Sequence, residues 1–193
     1  MKISTSKHEI IDLIKSWIVI AIIFTILLKK DPSNILTLTQ LALVSAFTVG
    51  IGFLLHELAH KVVAQKYGCL AEFRSSDTML VLALAMAYFL GFVFIAPGAV
   101  YIFGNVGIAR NGRISLAGPL TNLILAVIFF IIGIFTTGFL SIFASYGFMI
   151  NSWLALFNLI PVWNFDGKKI LEWNKLYYFI AVIVAVLFVF VIR

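Results

Sequence analysis

Residues 51–63 read Ile51-Gly52-Phe53-Leu54-Leu55-His56-Glu57-Leu58-Ala59-His60-Lys61-Val62-Val63. The stretch closes an apolar run that begins at Ile35, and that run is long enough to cross a membrane as a helix. On a helix, residues four apart share a face, so His56 and His60 point the same way and both imidazoles can reach one metal ion. Glu57 follows the first histidine directly, which completes an HExxH pattern. In that pattern the two histidines hold Zn²⁺ and the glutamate takes a proton from water at the metal, whose pKa falls to roughly 7. Ionisable residues inside a membrane span are costly and mark function. Three of them within five positions are therefore read as a metal site, not as packing.

Composition sets the frame around this stretch. The 193 residues are 63% hydrophobic and only 11% charged, too few charges to cover a soluble surface of this size. The chain is expected to be an integral membrane protein, folded as an all-α polytopic bundle. The net charge of +6 then reports cytoplasmic loops and excludes nucleic acid as the expected partner. The single cysteine, Cys69, rules out an internal disulfide and a multi-cysteine zinc site. No cleavable leader is evident after Lys2 and Lys7, and residues 1–193 are read as one membrane domain.

Outward from the HExxH, firm spans are expected at Ile10–Leu28, Ile35–Val63, Ile114–Phe135, Ser141–Ile160 and Leu176–Ile192. Asp12 and Lys15 are placed to snorkel and Trp17 to sit in an aromatic belt. Asn151 and Asn158 are read as bonding across helices. The stretch Thr78–Phe103 is apolar but broken by Gly91, Pro97 and Gly98. If it crosses fully, the 14 Lys and Arg divide evenly between the two sides; if it dips in and returns, 11 lie inside and 3 outside. Cytoplasmic loops carry the excess of cations, so a re-entrant or hairpin element is expected, making six membrane helices in all with short strands near the site. The same topology brings His56, His60, Asn122 and Asp166 to one membrane face.

A catalytic zinc keeps three protein ligands and one open position. Candidates for the third are Glu72, Asp77, Asp166 and Glu172, and Asp166 is the best placed, after the break at Pro161 and before Gly167.

Three separated motifs now come together: His56-Glu57-Leu58-Ala59-His60, Ala117-Gly118-Pro119-Leu120-Thr121-Asn122 and Phe157-Asn158-Leu159-Ile160-Pro161-Val162-Trp163-Asn164-Phe165-Asp166-Gly167. In this order they resemble the site-2 protease family of intramembrane zinc metalloproteases, peptidase family M50, over about Ile51 to Lys169. The resemblance implies that His56, His60 and Asp166 hold one Zn²⁺ and that Glu57 is the general base. It implies that Asn122 holds the substrate carbonyl or developing oxyanion. The expected activity is zinc endopeptidase cleavage of a transmembrane helix in a membrane-protein substrate (regulated intramembrane proteolysis), with the lipid bilayer as partner and the site open to the cytoplasm. The chain departs from the family in having no PDZ or CBS domain, a long Thr78–Phe103 insert and unusual neighbours of Asp166. Pro97-Gly98-Ala99-Val100 is a candidate substrate edge. The alternatives are a non-catalytic zinc-binding scaffold and a zinc carrier. A carrier has no use for Glu57, and the complete ligand set with its base argues against a scaffold.

Overall fold

A computed structural model describes residues 3–94, 97–104 and 106–192. Lys2 and Arg193 of the cation count, and residues 95–96 of the expected re-entrant stretch, lie outside the described residues. The chain runs through helix α1 (Lys7–Lys29), helix α2 (Leu38–Lys66), strand β1 (Leu70–Ser75), helix α3 (Asp77–Phe89) and strand β2 (Gly98–Phe103). It continues through α4 (Ile108–Ile134), α5 (Phe139–Asn158), α6 (Asp166–Trp173) and α7 (Lys175–Phe190).

Four of these helices, α1, α2, α4 and α5, are long and apolar enough to cross a membrane. Their outer faces agree with that length. Ile11, Ile14, Ile18 and Ile22 form an exposed row along α1 at helical spacing, an arrangement that suits lipid and not water. The fifth expected span, α7, has 16 residues. At 1.5 Å per residue that is about 24 Å, short of a bilayer core of about 30 Å. Its first turn is fixed by Asn174, whose side chain accepts from the N–H groups of Leu176 and Tyr177.

The start of α4 departs from expectation. The span was expected from Ile114, yet the helix begins at Ile108 and takes in Arg110 and Arg113. Arg113 lies over the Trp173 ring at 5.6 Å and Arg110 over the Tyr67 ring at 5.7 Å, so each exposed cation rests on an aromatic face of the protein. The earlier start moves the Ala117–Asn122 motif from the mouth of the helix to its middle.

Between α2 and α4 lies an antiparallel pair, with Leu70 opposite Phe103 and Ser75 opposite Gly98. Chain that leaves β1 at Ser75 therefore re-enters the sheet beside it at Gly98, and α3 lies within that excursion. The outer edge of β1 is closed by acids of α1. Glu9 accepts from the Phe73 N–H at 3.0 Å, and Asp12 accepts from the Ser75 hydroxyl at 2.9 Å. Asp12 and Lys15 thus have partners in the fold, and Lys15, itself half-exposed, also meets Asp77 at 2.5 Å. An unpaired strand edge would leave buried N–H groups without partners, and these carboxylates supply them.

Trp17 donates to the Ala46 carbonyl at 2.9 Å, where α2 widens into a π-helical turn over Ala46–Gly50. A wider turn is a place where a side chain can reach the backbone. Asn158 donates to Leu154 of its own helix, not across helices. Cys69 is buried with Ala64, Ala71 and Ile114 and has no partner thiol.

Candidate metal centre

The helical spacing of His56 and His60 puts both imidazoles on the face of α2 that meets α4. His56 is 4% and His60 8% exposed, so neither ring is solvated. The Nδ1 atoms point at acceptors. His56 Nδ1 lies 2.6 Å from Asn122 Oδ1, and His60 Nδ1 lies 2.7 Å from the Ile114 carbonyl. Both Nδ1 atoms must therefore carry the proton, which leaves each Nε2 with a free lone pair.

Asp166 opens α6 and is 8% exposed. Its Oδ2 stands 3.3 Å from His56 Nε2 and 3.1 Å from His60 Nε2, while the two Nε2 atoms are 3.0 Å apart. Three acceptor atoms thus face one another with no proton between them, an arrangement that repels itself unless a cation sits in the middle. For bond lengths of about 2.0–2.1 Å, the edge of a tetrahedral zinc site is about 3.3 Å. The observed triangle is close to one face of such a tetrahedron. Two imidazoles and a carboxylate are also a donor set that zinc accepts.

Space for the ion is kept by Gly118. A Cβ at this position would lie 2.4 Å from His60 Nε2 and 2.5 Å from His56 Nε2. Gly167 serves the third ligand in a related way. Its φ is not positive; the need is for closeness, since a Cβ there would fall 2.1 Å from the Leu159 carbonyl oxygen. The end of α5 and the start of α6 pack against each other at that point, and this holds Asp166 toward the histidines.

Asn122 is fully buried. Its Oδ1 accepts from His56, and its Nδ2 donates to the Gly52 carbonyl at 3.2 Å and to Asn151 Oδ1 at 3.0 Å. The polar atoms of this amide are thereby engaged within the protein. Asn151 does bond across helices, as expected, and Gly52 leaves room for its amide. Glu57 lines the same cavity as the two histidines, and its Oε2 accepts from the Val100 N–H of β2 at 3.0 Å. That cavity is about 310 Å³ and carries polar groups from Asn111, Ser115, Asn158, Asn164 and Lys169.

The other three ligand candidates lie elsewhere. Glu72 is bound by Ser6 and Arg74, and the Ser6 hydroxyl, with Arg74 beside it, holds its carboxyl below the usual carboxylate range. Asp77 pairs with Lys15, and Glu172 is exposed on α6. Among the described residues, His56, His60 and Asp166 are the group that could hold a metal ion. Sequence reasoning did not find the Val100 N–H or the Ile114 carbonyl, since backbone groups carry no signature in residue type.

The comparisons agree with this geometry. A Methanocaldococcus jannaschii protein named as a putative zinc metalloprotease is 45% identical over 172 residues, covering 88% of this chain and 86% of its own. A Bacillus subtilis protein of the same description is 32% identical over 147 residues, covering 65% of this chain and 66% of its own. A second Methanocaldococcus jannaschii protein, named a zinc metalloprotease, is 29% identical over 126 residues, which is 63% of this chain and 31% of that protein. No family model and no solved structure matches the chain. With a relative this similar along most of both lengths, and a donor set that fits the ion, the chain belongs to a family of zinc metalloproteases and its cofactor is zinc.

Proposed function

We propose that the protein is an intramembrane endopeptidase of the site-2 protease type, which cuts a membrane-protein substrate in or beside a transmembrane helix. One observation carries the reading. The donor triad and Glu57 are enclosed by helices that are themselves long and apolar enough to cross a membrane. A peptide bond of a neighbouring transmembrane helix reaches them from lipid or from its edge. The chain is multi-pass and sits in the cell membrane, with residues 78–103 as the re-entrant element and the polar cavity opening toward the cytoplasm.

His56, His60 and Asp166 hold the zinc, which when bound polarises a carbonyl and makes water acidic enough to react near neutral pH. Glu57 takes the proton from the attacking water and passes it to the departing amine. Asn122 is a positioning residue, because its carbonyl oxygen fixes the His56 ring and tautomer. Asn111, Ser115 and Lys169 make the polar wall through which water arrives. The substrate helix has to unwind locally, since its carbonyls are otherwise engaged in intrahelical hydrogen bonds.

The test compares wild type with Glu57→Gln in membranes. Glu57→Gln keeps zinc and loses cleavage, so fragments of membrane proteins found with wild type disappear with the variant. Cleavage that survives Glu57→Gln, with zinc content unchanged, would overturn the reading.

A further inference from the structure

A second cavity meets the first at the metal centre. It is about 420 Å³, and His56, Glu57, Asn158 and Phe165 line both. The two differ in chemistry. The first sets amides, a hydroxyl and Lys169 among apolar residues such as Val100, Ile102 and Ile114. The second is walled by Phe24, Phe53, Phe94, Trp153 and Phe157, with aliphatic side chains from α1, α2, α3 and α5. Apart from the histidine, Glu57 is the one ionisable group that faces it. Its size lies within the range of pockets that enclose a small ligand, about 300–1,000 Å³.

The pair His56–Glu57 therefore stands as a partition between a wet chamber and an apolar one. A peptide bond held at this partition has its reacting carbonyl on the polar side. One side chain next to that bond then enters the apolar side, which adjoins these same two residues. Aromatic walls favour a large aliphatic or aromatic side chain by burial and by edge contact. A charged side chain would lose its hydration and find, beside the Asn122 and Asn158 amides, the one charge of Glu57, which repels Asp and Glu and would be neutralised as a base by Lys or Arg.

We propose that this cavity is a substrate-side-chain subsite, and that it makes the enzyme select a large apolar residue at one fixed position beside the scissile bond. The proposal rests on the intramembrane endopeptidase reading and specifies the substrate for it. Leu154 and Phe94 set the depth of the subsite. Leu154 is partly buried on α5, while Phe94 is exposed beyond α3 and meets Phe157 edge-on at 5.3 Å. A change at Phe94 therefore leaves the bundle intact.

The experiment uses zinc-loaded protein in phosphatidylcholine vesicles with a synthetic transmembrane peptide of Leu and Ala. The cut bond is mapped by mass spectrometry, and each flanking residue is then varied among Ala, Leu, Phe, Asp and Lys. At one position Leu and Phe are expected to be preferred to Ala by at least about 10-fold in kcat/KM, and Asp and Lys to fall by about 100-fold or more. Leu154→Trp should move the preference at that position from Phe toward Ala, and Phe94→Ala should move it toward Phe. Equal rates for all five residues at every position, or preferences that neither variant moves, would overturn the proposal.

A second measurement is independent of turnover. Glu57→Gln is mixed with the same peptide carrying benzoylphenylalanine at each position in turn. Crosslinks from one position to Phe24, Leu154 or Trp153 support the subsite, and their absence at every position overturns it. If wild type cuts no peptide while these crosslinks form, the endopeptidase reading fails and the subsite stands.

Discussion

Asn122 and His56, 66 residues apart in the chain, meet through a 2.6 Å contact between Oδ1 and Nδ1 inside the bundle. The amide is oriented by its other two bonds. Because Nδ2 donates to Gly52 and Asn151, the oxygen has to face the imidazole. The consequence is a histidine with one tautomer and one ring angle, ready to present Nε2 to the metal.

A test follows from that orientation. Asn122→Leu removes the acceptor and is expected to weaken zinc binding by about 10–100-fold, as losses of such supporting partners do. Asn122→Asp keeps an oxygen on His56 and should retain most of the affinity. Competition with a chelator measures both. Equal affinity in Asn122→Leu and wild type, with helix content unchanged, would remove Asn122 from the role of support for His56.

Gly118 offers a steric test of the same centre. Gly118→Ala puts a methyl group where both Nε2 atoms converge, so zinc content should fall well below one ion per chain. Gly133→Ala is the control in the same helix, since its Cβ would meet only that of Ala144 at an ordinary 3.6 Å. Metal analysis beside circular dichroism separates loss of the ion from loss of the helix. A full complement of zinc in Gly118→Ala would contradict the placement of the ion against α4.

How much of this was visible beforehand depends on how locally each feature is encoded. The histidine pair was legible because four residues of helix bring the two rings together without help from the rest of the chain. Asp166 stood out among four carboxylates by its place between Pro161 and Gly167, and the resemblance of three motifs pointed to it as well; the structure shows why it alone fits, since Glu72 and Asp77 have partners of their own and Glu172 is exposed. The strand pair was harder. Leu70–Ser75 contains Glu72, Arg74 and Ser75, polar residues that do not single out a strand, and its edge is satisfied by acids more than 60 residues away. The start of α4 was misplaced because Arg110 and Arg113 suggest water, and only the folded protein supplies Tyr67 and Trp173 beneath them.

Lys61 shows the same limit and yields a stability prediction. Nothing in its sequence setting announces its burial, yet it is 1% exposed and meets Glu9 at 2.6 Å and the Thr5 hydroxyl at 2.9 Å. Lys61→Met leaves the Glu9 charge buried without its partner and should cost about 3–5 kcal/mol. Glu9→Gln combined with Lys61→Met removes both charges and retains an acceptor for the Phe73 N–H, so most of the loss should be recovered. Thermal unfolding in detergent reads the difference. A double variant as unstable as Lys61→Met would show that shape and not charge dominates there.

Zinc removal should loosen one part of the molecule more than the rest. The ion ties Asp166 at the start of α6 to the histidines of α2, and without it three acceptor atoms within 3.3 Å of one another have nothing to hold them together. The α5–α6 connection, 159–165, then has fewer reasons to stay closed, whereas α1 and the strand pair are fixed by Glu9, Lys61 and Asp12, none of which touches the metal. Chelation is therefore expected to speed amide exchange in residues 159–173 and to leave 70–75 unchanged. Adding zinc back at about 1,000 times its dissociation constant should restore about 4 kcal/mol of stability. Uniform loosening of the whole chain would mean that the ion organises the bundle itself; no change at 159–173 would mean that packing of Gly167 on Leu159 holds Asp166 in place unaided.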